Sequence, residues 1–245
     1  MKYSDRYETR WHDTDADRHV RPSQMLVYMQ ETANYHMQSV GQSLDDVRDQ
    51  NGLAFILTRL TINFHAPLLA HENINVRTWI GEGKGLNFPR CFSVERENGE
   101  VAAQGASQWA LIDLKTHLPV KASSFSFAYA PEEPLPITTP RRFVLPEEMV
   151  EVGQRRIVYS DVDYNGHMNN TRYPDMLCDF APDMDKKRAV GITLSFLQEA
   201  AFGHTLKVMR AERELPADAA GKTEYCFRTL NEEGKVCLEA ILQTE

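Results

Sequence analysis

The segment Asp161-Val162-Asp163-Tyr164-Asn165-Gly166-His167 gathers two carboxylates, an amide and an imidazole within one short stretch. These are the parts needed to hydrolyse a carbonyl compound. An imidazole or carboxylate takes a proton from water, and an amide or backbone N–H holds the developing negative charge. A plainer reading competes, because Asp, Asn and Gly make turns and a His in a turn is most often surface. The segment also begins like a calcium-binding loop, which needs a bidentate Glu at its twelfth position. Counted from Asp161, that position is Arg172, and a strand-like stretch precedes the loop where a calcium-binding hand has a helix. Calcium is therefore rejected, and neither a metal nor an organic cofactor is implied.

The segment has an earlier echo. Trp11-His12-Asp13-Thr14-Asp15-Ala16-Asp17-Arg18-His19 repeats the aromatic lead, both aspartates and the histidine at an offset of 167 − 19 = 148. As a calcium loop this copy fails too, with Arg18 in place of the Gly and Gln24 in place of the Glu. Leu60-Thr61-Ile62-Asn63-Phe64 is echoed by Ile192-Thr193-Leu194-Ser195-Phe196 at 192 − 60 = 132. Cys91-Phe92 with Gly99 and Val101 is echoed by Cys226-Phe227 with Gly234 and Val236 at 226 − 91 = 135. Each match alone is weak, but their common order makes a duplicated module the better reading.

Each module reads as a short strand (Tyr7 to Trp11, or Arg155 to Tyr159), the Asp/His turn, and then a run of strands. In the first module a helix intervenes, since Met25, Met29, Ala33, His36 or Met37, and Val40 recur at helical spacing after Pro22 and Ser23. Its strands are expected at Ala54–Phe64, Ile74–Ile80, Pro89–Glu95 and Ala102–Asp113. The second module gives Val190–Phe196, Thr205–Arg213, Thr223–Leu230 and Val236–Gln243, with hairpins marked by Asn98-Gly99 and Glu233-Gly234. A strand, a helix and several antiparallel strands form an α+β unit, a helix wrapped by a curved sheet. Two copies make a double (tandem) hot-dog. The expected division is an N-terminal module over 1–130, a Pro-rich linker over 131–150 and a C-terminal module over 151–245.

Composition narrows the function. A formal net charge of -8 argues against a general nucleic-acid binder. No apolar run approaches the length of a membrane span, and the N-terminus lacks the apolar core of a secretory signal. The four cysteines, Cys91, Cys178, Cys226 and Cys237, form no CxxC pair and read as reduced thiols of a cytoplasmic protein. Met25, Met29 and Met37 read first as core, and second as a flexible wall for an irregular apolar ligand. Arg141-Arg142, Arg155-Arg156 and Lys186-Lys187-Arg188 are solvated surface, or a local patch for an acidic partner.

The run Ser160-Asp161-Val162-Asp163-Tyr164-Asn165-Gly166-His167-Met168-Asn169-Asn170 resembles the active-site motif of the plant-type acyl-ACP thioesterases. Those enzymes carry a D-x-N-x-H element, then an apolar residue and two Asn. Gln30-Glu31-Thr32-Ala33 with His36, Thr58-Arg59, and Ala106-Ser107-Gln108-Trp109 are similar to the same family, so the likeness spans nearly all of the chain. The family is a tandem hot-dog. The resemblance implies that Asp163, Asn165 and His167 are the catalytic Asp, Asn and His, and that Glu199 is the family's catalytic Glu. Ala200 stands where the family has a Cys, so a cysteine nucleophile does not carry over. The chain begins without a transit extension, which points to a bacterial cytoplasmic version.

The implied reaction is hydrolysis of a fatty acyl-ACP thioester, with acyl carrier protein as partner, no nucleic acid, no membrane span and a homodimer left open. Glu199 or His167 would activate water, Asp163 would orient the network or act as nucleophile, and Asn165 would hold the substrate. Backbone N–H groups near His167 and Met168, at the start of a second helix, would polarise the carbonyl. Three alternatives remain: an acyl-CoA thioesterase on the same fold, a non-catalytic acyl-binding protein, and a hot-dog dehydratase.

One module is expected to be catalytic and the other to house the acyl chain. Asp17 replaces Asn165 in the first module, and Pro67 stands at 199 − 132 = 67, where Glu199 would fall. Proline cannot take up a proton or donate a backbone hydrogen bond. Replacing His167 with Ala should therefore cut kcat by about 10²–10⁴-fold, while His19→Ala should change it little. Thiol release by the two purified variants, matched for thermal stability, checks this. Equal losses would refute a single catalytic module.

Overall fold

A computed structural model describes residues 2–213, 215 and 221–245. The chain divides into two compact units, Met1–Val20 with Gln24–Thr139, and Arg21–Ser23 with Pro140–Glu245.

In the first unit β1 (Tyr3–Glu8) leads through a 3-10 turn at Trp11–Asp13 to helix α1 (Pro22–Ser39) and a short helix α2 (Leu44–Asn51). Strands β2 (Leu53–Phe64), β3 (Asn73–Ile80), β4 (Phe88–Arg96), β5 (Val101–Asp113) and β6 (Pro119–Val120) follow. They form an antiparallel sheet in the order β1-β3-β4-β5-β2, with β6 on β5. The second unit has β7 (Val150–Arg156), a 3-10 turn at Tyr159–Asp161, helix α3 (Tyr173–Asp179), β8 (Ala189–Phe196), β9 (Thr205–Arg213), β10 (Thr223–Leu230) and β11 (Val236–Thr244). Its order is β7-β9-β10-β11-β8. Numbered within each unit, both sheets read first-third-fourth-fifth-second strand.

Register carries the duplication to single residues. Cys91 faces Ala106 across β4 and β5, and Cys226 faces Ile241 across β10 and β11, a shift of 135 on both strands. Thr61 faces Ala106, and Thr193 faces Ile241, which joins the 132 and 135 offsets in one ladder. Tyr7 faces Ile74 and Arg155 faces Leu206, which joins the 148 and 132 offsets. The sequence echoes are thus equivalent positions of one repeated unit, and the fold is the α+β double hot-dog.

One local expectation needs correction, and two features lie outside the sequence pattern. The first strand of each module lies earlier than Tyr7–Trp11 and Arg155–Tyr159. An aspartate side chain ends each one. Asp13 Oδ2 accepts from the Arg10 N–H at 2.6 Å, and Asp161 Oδ2 accepts from the Val158 N–H at 2.9 Å, winding the chain into a 3-10 turn. Helix α2 was not anticipated. Ser43 and Asp46 cap it reciprocally, at 3.0 and 2.9 Å, and Gly52 ends it in the left-handed region at φ 66°. The two modules also differ in helix length, since Pro182 follows the short α3 and blocks a further turn.

The core of the first unit forms where α1 lies on the sheet. Met25, Leu26, Met29, Ala33 and Met37 are buried along it, so the three methionines are core. Gly105 lets the helix approach, because a Cβ there would meet Met29 Sδ at 3.4 Å and the Thr61 carbonyl at 3.3 Å. The stretch after β6 straps the same unit. The Trp79 indole N–H reaches the Glu133 carbonyl at 2.8 Å, and the Thr61 hydroxyl reaches the Thr138 carbonyl at 2.9 Å.

This core also contains a polar group of residues. His36, in the last turn of α1, is fully buried, its ring between Tyr3 (centroids 5.3 Å apart) and Tyr129 (3.9 Å). Arg90 Nη1 lies 3.3 Å from His36 Nδ1 and 3.2 Å from Thr78 Oγ1, while Nη2 donates to the Tyr129 hydroxyl at 2.8 Å. Burial, and then the Arg90 charge, lowers the His36 pKa from 6.5 to about 4. The folded state therefore prefers neutral His36, and this preference contributes stability fully above pH 6.5 that is lost as pH falls toward about 4. Replacing His36 with Phe keeps an aromatic ring in the stack and removes the titration. Thermal melts from pH 6.5 to 4 should show the wild type losing more stability than His36→Phe, by at most roughly 3 kcal/mol. Parallel acid limbs would refute the assignment.

Candidate active site

In the second unit β7 ends at Arg156 and the 3-10 turn follows, with Asp161 almost fully buried beneath it. Besides the Val158 N–H, Asp161 accepts from Arg155 Nη2 at 2.5 Å. Its own carbonyl accepts from the Asn169 N–H at 2.9 Å, so this residue ties together both ends of the loop 162–168. Within the loop, Val162 bridges Met168, and the Asp163 N–H donates to the His167 carbonyl at 3.0 Å. Asp163 Oδ1 accepts from the Asn165 N–H at 2.8 Å, an Asx turn, and Gly166 completes it at φ 78°. A non-glycine residue would be strained there.

The loop is clamped against the chain that leaves β8. The Met168 N–H donates to the Ala200 carbonyl at 2.8 Å, and the Phe202 N–H donates to the Gly166 carbonyl at 3.1 Å. His167 is thereby bridged to Ala201, which sets Glu199 beside it. Glu199 Oε2 lies 3.2 Å from His167 Nε2. The two side chains form an ion pair when the imidazole is protonated, and a neutral imidazole here has a ring nitrogen able to take a proton. The imidazole is one-third exposed and the carboxylate 65% exposed, so water reaches the pair.

Of the sequence candidates, the structure joins His167 to Glu199 and Asp163 to Asn165. The Asp163 carboxylate is engaged by its own turn, and the imidazole's partner is Glu199. Asn165 lies exposed at the tip of the loop. Two expectations change. The Met168 N–H, offered as an oxyanion donor, is engaged by Ala200. Helix α3 begins at Tyr173, not beside His167, because Asn169 caps an intervening 3-10 turn through the Thr171 N–H at 2.9 Å. The sequence reading also missed Arg155 as the partner of Asp161.

The first unit builds the same loop without the pair. Thr14 bridges Val20 and His19 bridges Leu69, matching the second unit at offsets of 148 and 132. Asp15 Oδ1 accepts from the Asp17 and His19 N–H groups at 3.0 and 2.9 Å. Arg18 takes the place of Gly166 and is forced to φ 68°. Asp13 holds the foot of the loop, with the Tyr28 hydroxyl donating to it at 2.6 Å. By the same offsets Pro67 occupies the Glu199 position, so His19 has no carboxylate from this direction.

Residues 1–124 match the acyl-ACP thioesterase N-terminal domain, and residues 147–243 match its C-terminal domain. A chloroplastic acyl-[acyl-carrier-protein] hydrolase of Cuphea viscosissima is 19% identical over 236 residues, and a chloroplastic palmitoyl-acyl carrier protein thioesterase of Arabidopsis thaliana is 21% identical over 236. Both alignments cover 86% of this chain but 55% of the relative, so the chain spans about half the length of the curated relatives it matches. The fold is shared with an acyl-ACP thioesterase from Bacteroides thetaiotaomicron (TM-score 0.87, 22% identity, covering 100% of this chain and 98% of that one). It is also shared with a 12:0-ACP thioesterase from Umbellularia californica (TM-score 0.79, 17% identity, covering 100% and 94%). With both domain types matched in order over most of its length, this chain belongs to the acyl-ACP thioesterase family.

Proposed function

We propose that the chain hydrolyses the thioester of a fatty acyl chain carried on acyl carrier protein, releasing the fatty acid and holo-ACP. The observation that carries this reading is the His167–Glu199 pair at 3.2 Å, set on the Asx-turned loop of a family member. Glu199 stabilises the imidazolium, and the His167 imidazole takes a proton from water. The water oxygen bonds to the thioester carbon, the C–S bond breaks, and the proton passes to the departing sulfur. The exposed Asn165 amide is available to the carbonyl, and Asp163 holds the turn. Its engagement with the Asn165 N–H favours this orienting role over a nucleophilic one.

The names of the relatives support acyl carrier protein as the carrier. Tyr159, Tyr164 and Phe202 are exposed on and beside the loop, an apolar fringe of the kind that marks a contact surface. The basic run at 186–188 supports docking less. The Lys187 ammonium donates to the Tyr225 hydroxyl at 2.9 Å, and Arg188 pairs with Glu245. The buried methionines of α1 support a first unit that receives the acyl chain, because Met adapts to irregular apolar shapes. Among the described residues the four cysteines form no disulfide, which supports a reducing compartment, the cytoplasm. Among the described residues no helix is long and apolar enough to cross a membrane.

Replacing Glu199 with Gln preserves shape and removes the charge. It should lower kcat for acyl-ACP by about 10²-fold or more with little change in KM, measured by thiol release against a chain-matched acyl-CoA. Wild-type turnover of acyl-CoA but not acyl-ACP would reassign the carrier, and an unimpaired Glu199→Gln would remove Glu199 from the mechanism. A variant with all four cysteines replaced by Ala or Ser should retain most of its turnover, since Cys91, Cys226 and Cys237 are buried and burial raises each thiol's pKa. Lost turnover in a folded cysteine-free protein would refute this.

A further inference from the structure

The polar group in the core of the first unit is not used by the hydrolytic site. Arg90 is buried, and the acceptors around it, His36 Nδ1, Thr78 Oγ1 and the Tyr129 hydroxyl, are all uncharged. A guanidinium can only donate, so His36 Nδ1 accepts and the imidazole hydrogen sits on Nε2. That Nε2 is buried and has no hydrogen-bond partner among the described residues. Among the described residues the cluster therefore holds a positive charge without a paired counter-charge and an N–H without an acceptor.

Packing alone does not require these groups. Buried ions are often replaced by apolar residues at no cost, and an unmatched buried donor is a penalty. The stacking on Tyr3 and Tyr129 needs only an aromatic ring. The neighbourhood is amphipathic. Tyr129 stacks on Phe127 at 5.2 Å, and Phe127 belongs with Phe125, Phe55 and Phe88 to an apolar cluster around Met37 and Leu111. An apolar aromatic cluster thus runs up to the imidazole and the guanidinium.

We infer that His36 and Arg90 form a binding site for an oxygen-bearing group on the acyl chain, so that oxygenated chains are preferred substrates. Hydroxyl, keto and carboxylate oxygens share the required chemistry, as each accepts the Nε2–H hydrogen bond beside the guanidinium. Methylenes on either side would lie against the phenylalanines. The inference rests on the thioesterase reading above.

The experiment measures kcat/KM for acyl-ACPs of one chain length. One arm is unsubstituted, one set carries a hydroxyl or keto group stepped along the chain, and one carries a terminal carboxylate. At least one oxygenated chain should exceed the plain chain by about tenfold, the worth of a charge-assisted hydrogen bond. The position and class of the best substrate identify the oxygen. That ratio should fall toward unity in both Arg90→Met and His36→Phe, and the second variant keeps the test open if the first fails to fold. Turnover of the plain chain with no oxygenated chain preferred overturns the inference alone, as does a preference that survives either folded variant. No turnover of any acyl-ACP overturns the thioesterase reading and this inference with it.

Discussion

The site depends on a two-bond clamp between a loop and the chain leaving β8. The Met168 N–H on the Ala200 carbonyl and the Phe202 N–H on the Gly166 carbonyl hold His167 and Glu199 within ion-pair distance. Neither side chain could hold this arrangement alone, since both are partly exposed and a solvated ion pair contributes little. Main-chain bonds do the positioning. The geometry of the pair is thereby tied to the strand ladder, because Leu197 and Gln198 bond in turn to the Cys237 carbonyl on β11.

Beneath the clamp lies a buried aspartate in each unit. Asp161 and Asp13 both close a 3-10 turn and end the first strand, but their remaining partners differ. Asp161 is held by Arg155 and Asp13 by the Tyr28 phenol. Burial raises the phenol's pKa, and the neighbouring carboxylate raises it further, so Tyr28 stays a donor. The duplicated unit thus kept its backbone device while its side chains diverged. At the Glu199 position a proline removes the carboxylate, and the first loop remains a turn with no partner from that side for its histidine.

The first unit resolves a different constraint. Its longer helix must lie close on the sheet, which Gly105 permits beneath Met29. At the end of that helix the core accepts a guanidinium and an imidazole. Tyr129 meets both, by a hydrogen bond to Arg90 and by stacking on His36. Tyr129 lies in the stretch after β6, so the polar cluster also fastens that strap to the body of the unit.

The sequence by itself determined the duplication, the α+β hot-dog architecture, most strands and the loop carrying Asp163, Asn165 and His167. These are local signals, and periodicity and turn chemistry act over a few residues. The shared register at offsets of 148, 132 and 135 shows why short echoes sufficed. Glu199 was legible only through family resemblance, since nothing local marks an exposed glutamate as the partner of a histidine 199 − 167 = 32 residues earlier. The contact of His36 with Arg90, 54 residues apart, left no trace in the pattern either. Where each first strand stops, which backbone N–H groups remain free, and which carboxylate meets His167 were decided by the tertiary structure. Each depends on hydrogen bonds between distant segments, which exist only once the sheet has brought them together.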